Sequence, residues 1–204
     1  MRIGVLASGR GSNLRSIVAA EQKGVLGGHV VAVAVDKEEA GALQFAASEG
    51  IEHAFIGREN YPSKEAFEVA LVDFMRENQV ELVCLAGFFR ILGPSFLDAY
   101  RGRILNIHPS LLPSFPGLHA QRQALEYGVR YSGCTVHFVD EGLDSGPIVV
   151  QKVVAVHDDD TEADLAARIL EEEHKAYPEA IALVTSGKYE ISGRRVGRKG
   201  VLEP

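Results

Sequence analysis

Only two cysteines occur in the sequence, Cys84 and Cys134, too few for a disulfide framework or a four-thiolate zinc site. Each sits in an apolar run, where a buried free thiol is expected. Basic residues are also short. The 21 Lys and Arg stand against 28 Asp and Glu, a formal net charge of −7. No broad basic surface is left for a nucleic-acid backbone, so nucleic acid is not an expected partner. Long apolar runs are missing as well. The longest, Gly24 to Val35, has 12 residues including three glycines and a histidine. The uncharged stretch from Ile104 to Gln121 is broken by Pro109, Pro113 and Pro116, and the N-terminal apolar run stops at Ala7. Neither a membrane span nor a signal peptide is expected, which leaves a cytoplasmic protein. The seven histidines form no close pair at helical ligand spacing, and no metal site is expected.

What is present is ordinary globular composition, with 46% hydrophobic and 24% charged residues in 204. A chain of this length buries about 70% of its unfolded surface. Ile3 to Ala7 reads as a strand, followed by Ser8-Gly9-Arg10-Gly11-Ser12-Asn13 and a helix from about Leu14 to Lys23. His29 to Val35 is a continuous apolar strand, Gly41 to Glu49 a helix and His53 to Ile56 a short strand. Ser63 caps a helix from Lys64 to Asn78, on which Phe67, Leu71, Phe74 and Met75 recur at helical spacing. Leu82 to Ala86 and Ile104 to His108 are further strands, with a short helix from Pro94 between them. This alternation predicts an α/β, Rossmann-like fold, a mostly parallel twisted sheet with helices on both faces. Tyr131 to Val139 and Ile148 to Val156 have no helix between them, so a mixed C-terminal edge is expected. Thr161 and Asp164 cap a long helix reaching about Leu183. The last 20 residues read as a hairpin or loose tail. No repeat or linker stands out, and a single domain over 1–204 is expected.

Three constellations can carry chemistry. Gly9 to Asn13 lies between a strand and a helix, where backbone N–H groups and the helix dipole favour an anion. It lacks the third glycine of a dinucleotide fingerprint and the Gly-Lys-Ser/Thr of a P-loop, so it is either a capped turn or a site for one phosphate. Asn106 and His108 share one strand face, and Pro109 places them at the carboxyl end, where open α/β sheets bind ligands. There an imidazole beside an amide can stabilise an oxygen that turns negative, or it can simply pack. The segment Asp140 to Pro147 carries three carboxylates. It is either an exposed turn or the source of one inward carboxylate that pairs with a histidine.

A fourth feature lies on the long C-terminal helix. Ala166, Ile169, Leu170, Tyr177, Ala180, Ile181 and Val184 form one apolar stripe, with Glu173 near its middle. A carboxylate there needs a buried cation or ligand donors.

These pieces resemble the folate-dependent formyltransferases, and most closely the branch that formylates glycinamide ribonucleotide in purine synthesis. The matching runs are Ser8 to Asn13, Leu85 to Leu92, Leu105 to Pro113, Gly133 to Val139 with Leu143 to Pro147, and Glu173 to Pro178. The resemblance implies that Asn106, His108 and Asp144 form a catalytic trio. It also implies that Gly11, Ser12, Asn13 and Glu173 bind the ribonucleotide. Lys64, Phe89, Arg90, Ile91, Leu92, Asn106, Asp140 and Asp144 would then bind the folate. Position 89 is often Met and position 64 often Arg in that family. The implied reaction is attack of the glycinamide amine on the formyl carbon of 10-formyltetrahydrofolate, a co-substrate, without a metal. Partners would be these two small molecules, and the protein a monomer or homodimer. The rival readings are another folate-dependent formyltransferase, a formyltetrahydrofolate hydrolase, and a non-catalytic nucleotide-binding module built on Gly9, Gly11 and Asp36. The first two would carry an extra domain, after Pro204 or before the first strand.

Overall fold

Strand β1 (Arg2–Ala7) is buried at every position after Arg2, as an apolar run without polar alternation requires of a strand covered on both faces. The computed structural model to which it belongs describes residues 1–200. Contacts group the chain into two compact units, Met1–Asn106 and a second from Ile107 onward.

In the first unit β1 is followed by α1 (Ser12–Gln22), β2 (His29–Val35), α2 (Gly41–Ser48) and β3 (Glu52–Phe55). Next come α3 (Lys64–Glu77), β4 (Leu82–Leu85), α4 (Pro94–Ala99) and the start of β5 (Ile104–His108). The strands lie in the order β3-β2-β1-β4-β5, all parallel. The chain thus works outward on one side of β1 and then on the other. The carboxyl ends of β1 and β4 flank this reversal, the place where open α/β sheets bind ligands. Ser63 caps α3 as expected, its side chain accepting from Ala66 N.

The second unit holds α5 (Ala120–Tyr127), β6 (Tyr131–Phe138), β7 (Ile148–Ala155), α6 (Glu162–Thr185), β8 (Tyr189–Ser192) and β9 (Arg195–Arg198). β6 and β7 are antiparallel, β7 meets β9 in parallel, and β8 and β9 form a hairpin, one of the two forms expected there. The final four residues lie outside the described ones. α6 packs on β6 and β7 and opens with a complete capping box between Thr161 and Asp164. Its buried face carries Ile169, Glu173, Tyr177, Ala180, Ile181 and Val184, with Leu165 and Ala176 in place of the half-buried Ala166 and Leu170. The architecture is α/β and Rossmann-like, with mostly parallel strands flanked by helices and a mixed C-terminal edge.

One local expectation is corrected: α1 begins at Ser12 rather than Leu14, so Ser12 and Asn13 belong to its first turn. Helix α5 is not expected from apolar periodicity, because it buries only Ala120 and Ala124, two small residues one turn apart.

Candidate active site

In the first unit, the turn after β1 is held tightly against the start of α2. Gly11 caps α1 with φ 78°, and a Cβ there would stand 2.8 Å from Ala42 Cα. Ala42 N donates to Gly9 O at 3.1 Å, closing the turn from the other side. Glycine is therefore required at position 11 for both its left-handed backbone and the close approach. The first turn of α1 contains no acidic residue, so its N–H groups and dipole keep their positive character.

The segment after β4 lies beside this turn. Ser8 N donates to Gly87 O at 2.9 Å, and Phe89 N donates to Ser8 Oγ at 3.1 Å. Phe89 and Ile91 are 69% and 73% exposed, whereas Leu92 is buried. Two large apolar side chains held in solvent within three residues form a surface suited to a flat, partly apolar ligand. Arg90 Nε donates to Asp36, and its guanidinium lies over the Phe67 ring, 5.6 Å from the centroid. That pairing occupies the acid a dinucleotide site would use at the end of β2. Lys64 is exposed at the start of α3 and pairs with the buried Glu68 at 3.6 Å. Asn106 ends this unit, half-buried on β5 and two residues before His108.

The second unit contains the acid–base cluster. His108 is buried at the end of β5, with Nε2 2.8 Å from Phe115 O and Nδ1 3.4 Å from Asp144 Oδ2. The carbonyl only accepts, so Nε2 is the donor of that bond. Asp144 Oδ2 also accepts from Gly117 N at 2.8 Å. Of the three carboxylates expected in this loop, Asp144 is the one held inward. Asp140 and Glu141 are exposed, and Asp140 Oδ1 accepts from Gly142 N and Ser145 Oγ at 3.0 and 2.7 Å, closing the turn.

His137 was not expected in this cluster, yet its Nε2 lies 3.7 Å from Asp144 Oδ1. Its only signal in the sequence is an imidazole inside the buried strand run from Cys134 to Phe138. Burial, its largest influence, holds the His137 ring below the usual histidine range.

Glu173 is 7% exposed on the buried face of α6. Burial first, and then the charge of Glu173, push the Cys134 thiol up to about 12. Among the described residues, no group of three His, Cys, Asp or Glu is placed to hold a metal ion. Nor is any described helix long and apolar enough to cross a membrane.

Residues 1–181 match the Formyl transferase family. The phosphoribosylglycinamide formyltransferase of Bacillus subtilis (strain 168) is 41% identical over 180 residues, 88% of this chain and 92% of that protein. The trifunctional purine biosynthetic protein adenosine-3 of Drosophila pseudoobscura pseudoobscura is 47% identical over 188 residues, 91% of this chain. The chain spans only 14% of that protein and 19% of its Gallus gallus counterpart. The crystal structure of glycinamide ribonucleotide transformylase 1 from Symbiobacterium toebii superposes with a TM-score of 0.95 at 49% identity, covering 97% of this chain and 93% of that one. The chain belongs to the formyl transferase family, in the group whose members are named phosphoribosylglycinamide formyltransferases.

Proposed function

We propose that the chain, acting as one functional domain, transfers the formyl group of 10-formyltetrahydrofolate to the amine of glycinamide ribonucleotide, in the cytoplasm and as a monomer or homodimer. The observation that carries this reading is the His108–Asp144 pair at the carboxyl end of β5. Bound folate supplies an activated formyl carbon, and the chain's residues bind, orient and move protons. His108 exchanges Phe115 O for the formyl oxygen at Nε2 as that oxygen gains negative charge, and Asp144 faces the opposite nitrogen of the ring. The Asn106 amide is the second donor from the same strand. Loss of one such donor typically costs about 10²–10³ in rate.

Gly11, Ser12 and Asn13 receive the ribonucleotide phosphate on the first turn of α1, and Glu173 holds the glycinamide amine. Phe89, Ile91 and Leu92 supply apolar contact to the folate, Arg90, Asp140 and Asp144 polar contact, and Lys64 a peripheral one. The exposed Phe89 and Ile91 side chains support this assignment, because burying them against a ring system recovers apolar area otherwise left in water. Incubating the purified chain with 10-formyltetrahydrofolate, with and without glycinamide ribonucleotide, tests the proposal. Amine-dependent formation of tetrahydrofolate is expected. Amine-independent release of formate would make it a hydrolase, and no turnover a binding module.

A further inference from the structure

Helix α3 buries Phe67, Glu68, Leu71, Val72 and Met75, and Glu68 is the one charged residue among them, 2% exposed. A carboxylate taken out of water is costly unless donors meet it. Here two do. Glu68 Oε1 accepts from Gly93 N at 2.7 Å and lies 3.6 Å from Lys64 Nζ, one turn earlier on the same helix. A Cβ on Gly93 would stand 3.0 and 3.1 Å from the two carboxylate oxygens, so both lie against that backbone.

Gly93 closes a segment that belongs to no ladder. Residues 88–93 form neither helix nor strand, and Pro94, which opens α4, has no N–H to give. Such a segment is fixed where its backbone donors find side-chain acceptors. Phe89 N finds Ser8 Oγ at 3.1 Å, and Gly93 N finds Glu68. From one anchor to the other the segment carries Phe89 and Ile91, 69% and 73% exposed. The guanidinium of Arg90 lies over the ring of Phe67, the neighbour of Glu68 on α3. α3 thus holds the segment at its middle through a ring and at its end through a carboxylate.

We infer that Glu68 is a positioning residue for the folate side of the site. It anchors the end of residues 89–92, so that Phe89 and Ile91 stand in place before the ligand arrives. An apolar residue at position 68 would fill the same space without a desolvation cost, but it would give Gly93 N no acceptor. A wall already fixed spares the ordering cost that binding otherwise carries. The effect of Glu68 therefore falls on folate affinity rather than on the chemical step. This inference rests on the proposed formyl transfer, in which that segment is the folate wall.

Two substitutions separate anchoring from mere filling of space. Glu68→Gln keeps a side-chain oxygen for Gly93 N, whereas Glu68→Leu fills the space and offers none. Anchoring predicts that Glu68→Leu raises the calorimetric Kd for tetrahydrofolate about tenfold, and KM for 10-formyltetrahydrofolate in parallel. KM for glycinamide ribonucleotide and kcat should stay within about twofold, and Glu68→Gln should bind tetrahydrofolate within about threefold of wild type. An unchanged Kd in folded Glu68→Leu, equal losses in both variants, or a matching loss for the ribonucleotide would overturn the inference. Amide hydrogen exchange of the substrate-free protein is a second readout, and it decides the matter if Glu68→Leu does not fold. The Gly93 amide is expected to be protected in wild type and in Glu68→Gln. Exchange at the rate of an unstructured chain in either would overturn the inference. Exchange needs no folate, so a wild-type protein that neither binds tetrahydrofolate nor turns over would remove the proposed function while the exchange still decides the anchor.

Discussion

His108 Nδ1 stands 3.4 Å from Asp144 Oδ2, and the opposite nitrogen of the same ring stands 2.8 Å from Phe115 O. Pro109 ends β5 directly after the histidine, which leaves the ring at the strand's carboxyl end rather than within the ladder. With Phe115 O at Nε2 and Asp144 at Nδ1, the ring can donate to a substrate oxygen only by exchanging Phe115 O for it. His108→Ala and Asp144→Ala should therefore each lower kcat by about 10² or more, with the fold intact by circular dichroism. Near-wild-type turnover in folded His108→Ala would remove the imidazole from the chemistry.

The turn after β1 separates a structural from a binding contribution. Gly11→Ala places a Cβ against Ala42 and forces a left-handed φ, so it should destabilise the protein by about 1–3 kcal/mol and lower Tm. Ser12 sits half-buried in the first turn of α1, and Ser12→Ala should leave Tm nearly unchanged while raising KM for the ribonucleotide. Calorimetric affinity for a folate analogue should not move in Ser12→Ala; a parallel loss would argue against a separate phosphate site.

Cys134 gives a pH dependence with a definite sign. Its thiol is raised from 9.0 to about 12 in the folded chain, so above pH 9 the unfolded chain loses the proton while the folded one keeps it. Stability contributed by the neutral thiol is complete below pH 9 and is lost progressively as pH rises toward 12, at about 1.4 kcal/mol per pH unit once the unfolded thiol is ionised. Urea unfolding at pH 8 and pH 10 should show a smaller alkaline loss for Cys134→Val than for wild type. Equal losses would mean that the thiol is not held neutral.

Glu173 couples to the same thiol and, in the proposed reaction, to the substrate amine. Glu173→Gln should raise KM for the ribonucleotide, leave folate-analogue affinity unchanged and bring the Cys134 thiol back toward its ordinary value. An unchanged KM together with a lower Tm would assign Glu173 to the interior of α6.

The elements carrying continuous apolar runs or clear caps were legible from residues alone. β2 and β5 match their expected bounds, and Ser63 and Thr161 both act as caps. Glu173 was legible because a lone carboxylate interrupts an apolar stripe. Helix α5 was not, since Ala120 and Ala124 bury too little area to produce a periodic signal. His137 was hidden for another reason: it stands beside a register shift between β6 and β7 that no local pattern encodes. Gly11 was singled out for its approach to an anion, but its neighbour Ala42, far along the chain, imposes an equally strong demand.

The most direct test of the central claim is the mass of the ribonucleotide product after incubation of the purified chain with glycinamide ribonucleotide and 10-formyltetrahydrofolate. The account predicts a gain of one formyl group, formed in step with tetrahydrofolate and lost in folded His108→Ala. Consumption of the folate with no formylated ribonucleotide, or formylation that persists unchanged without His108, would contradict it.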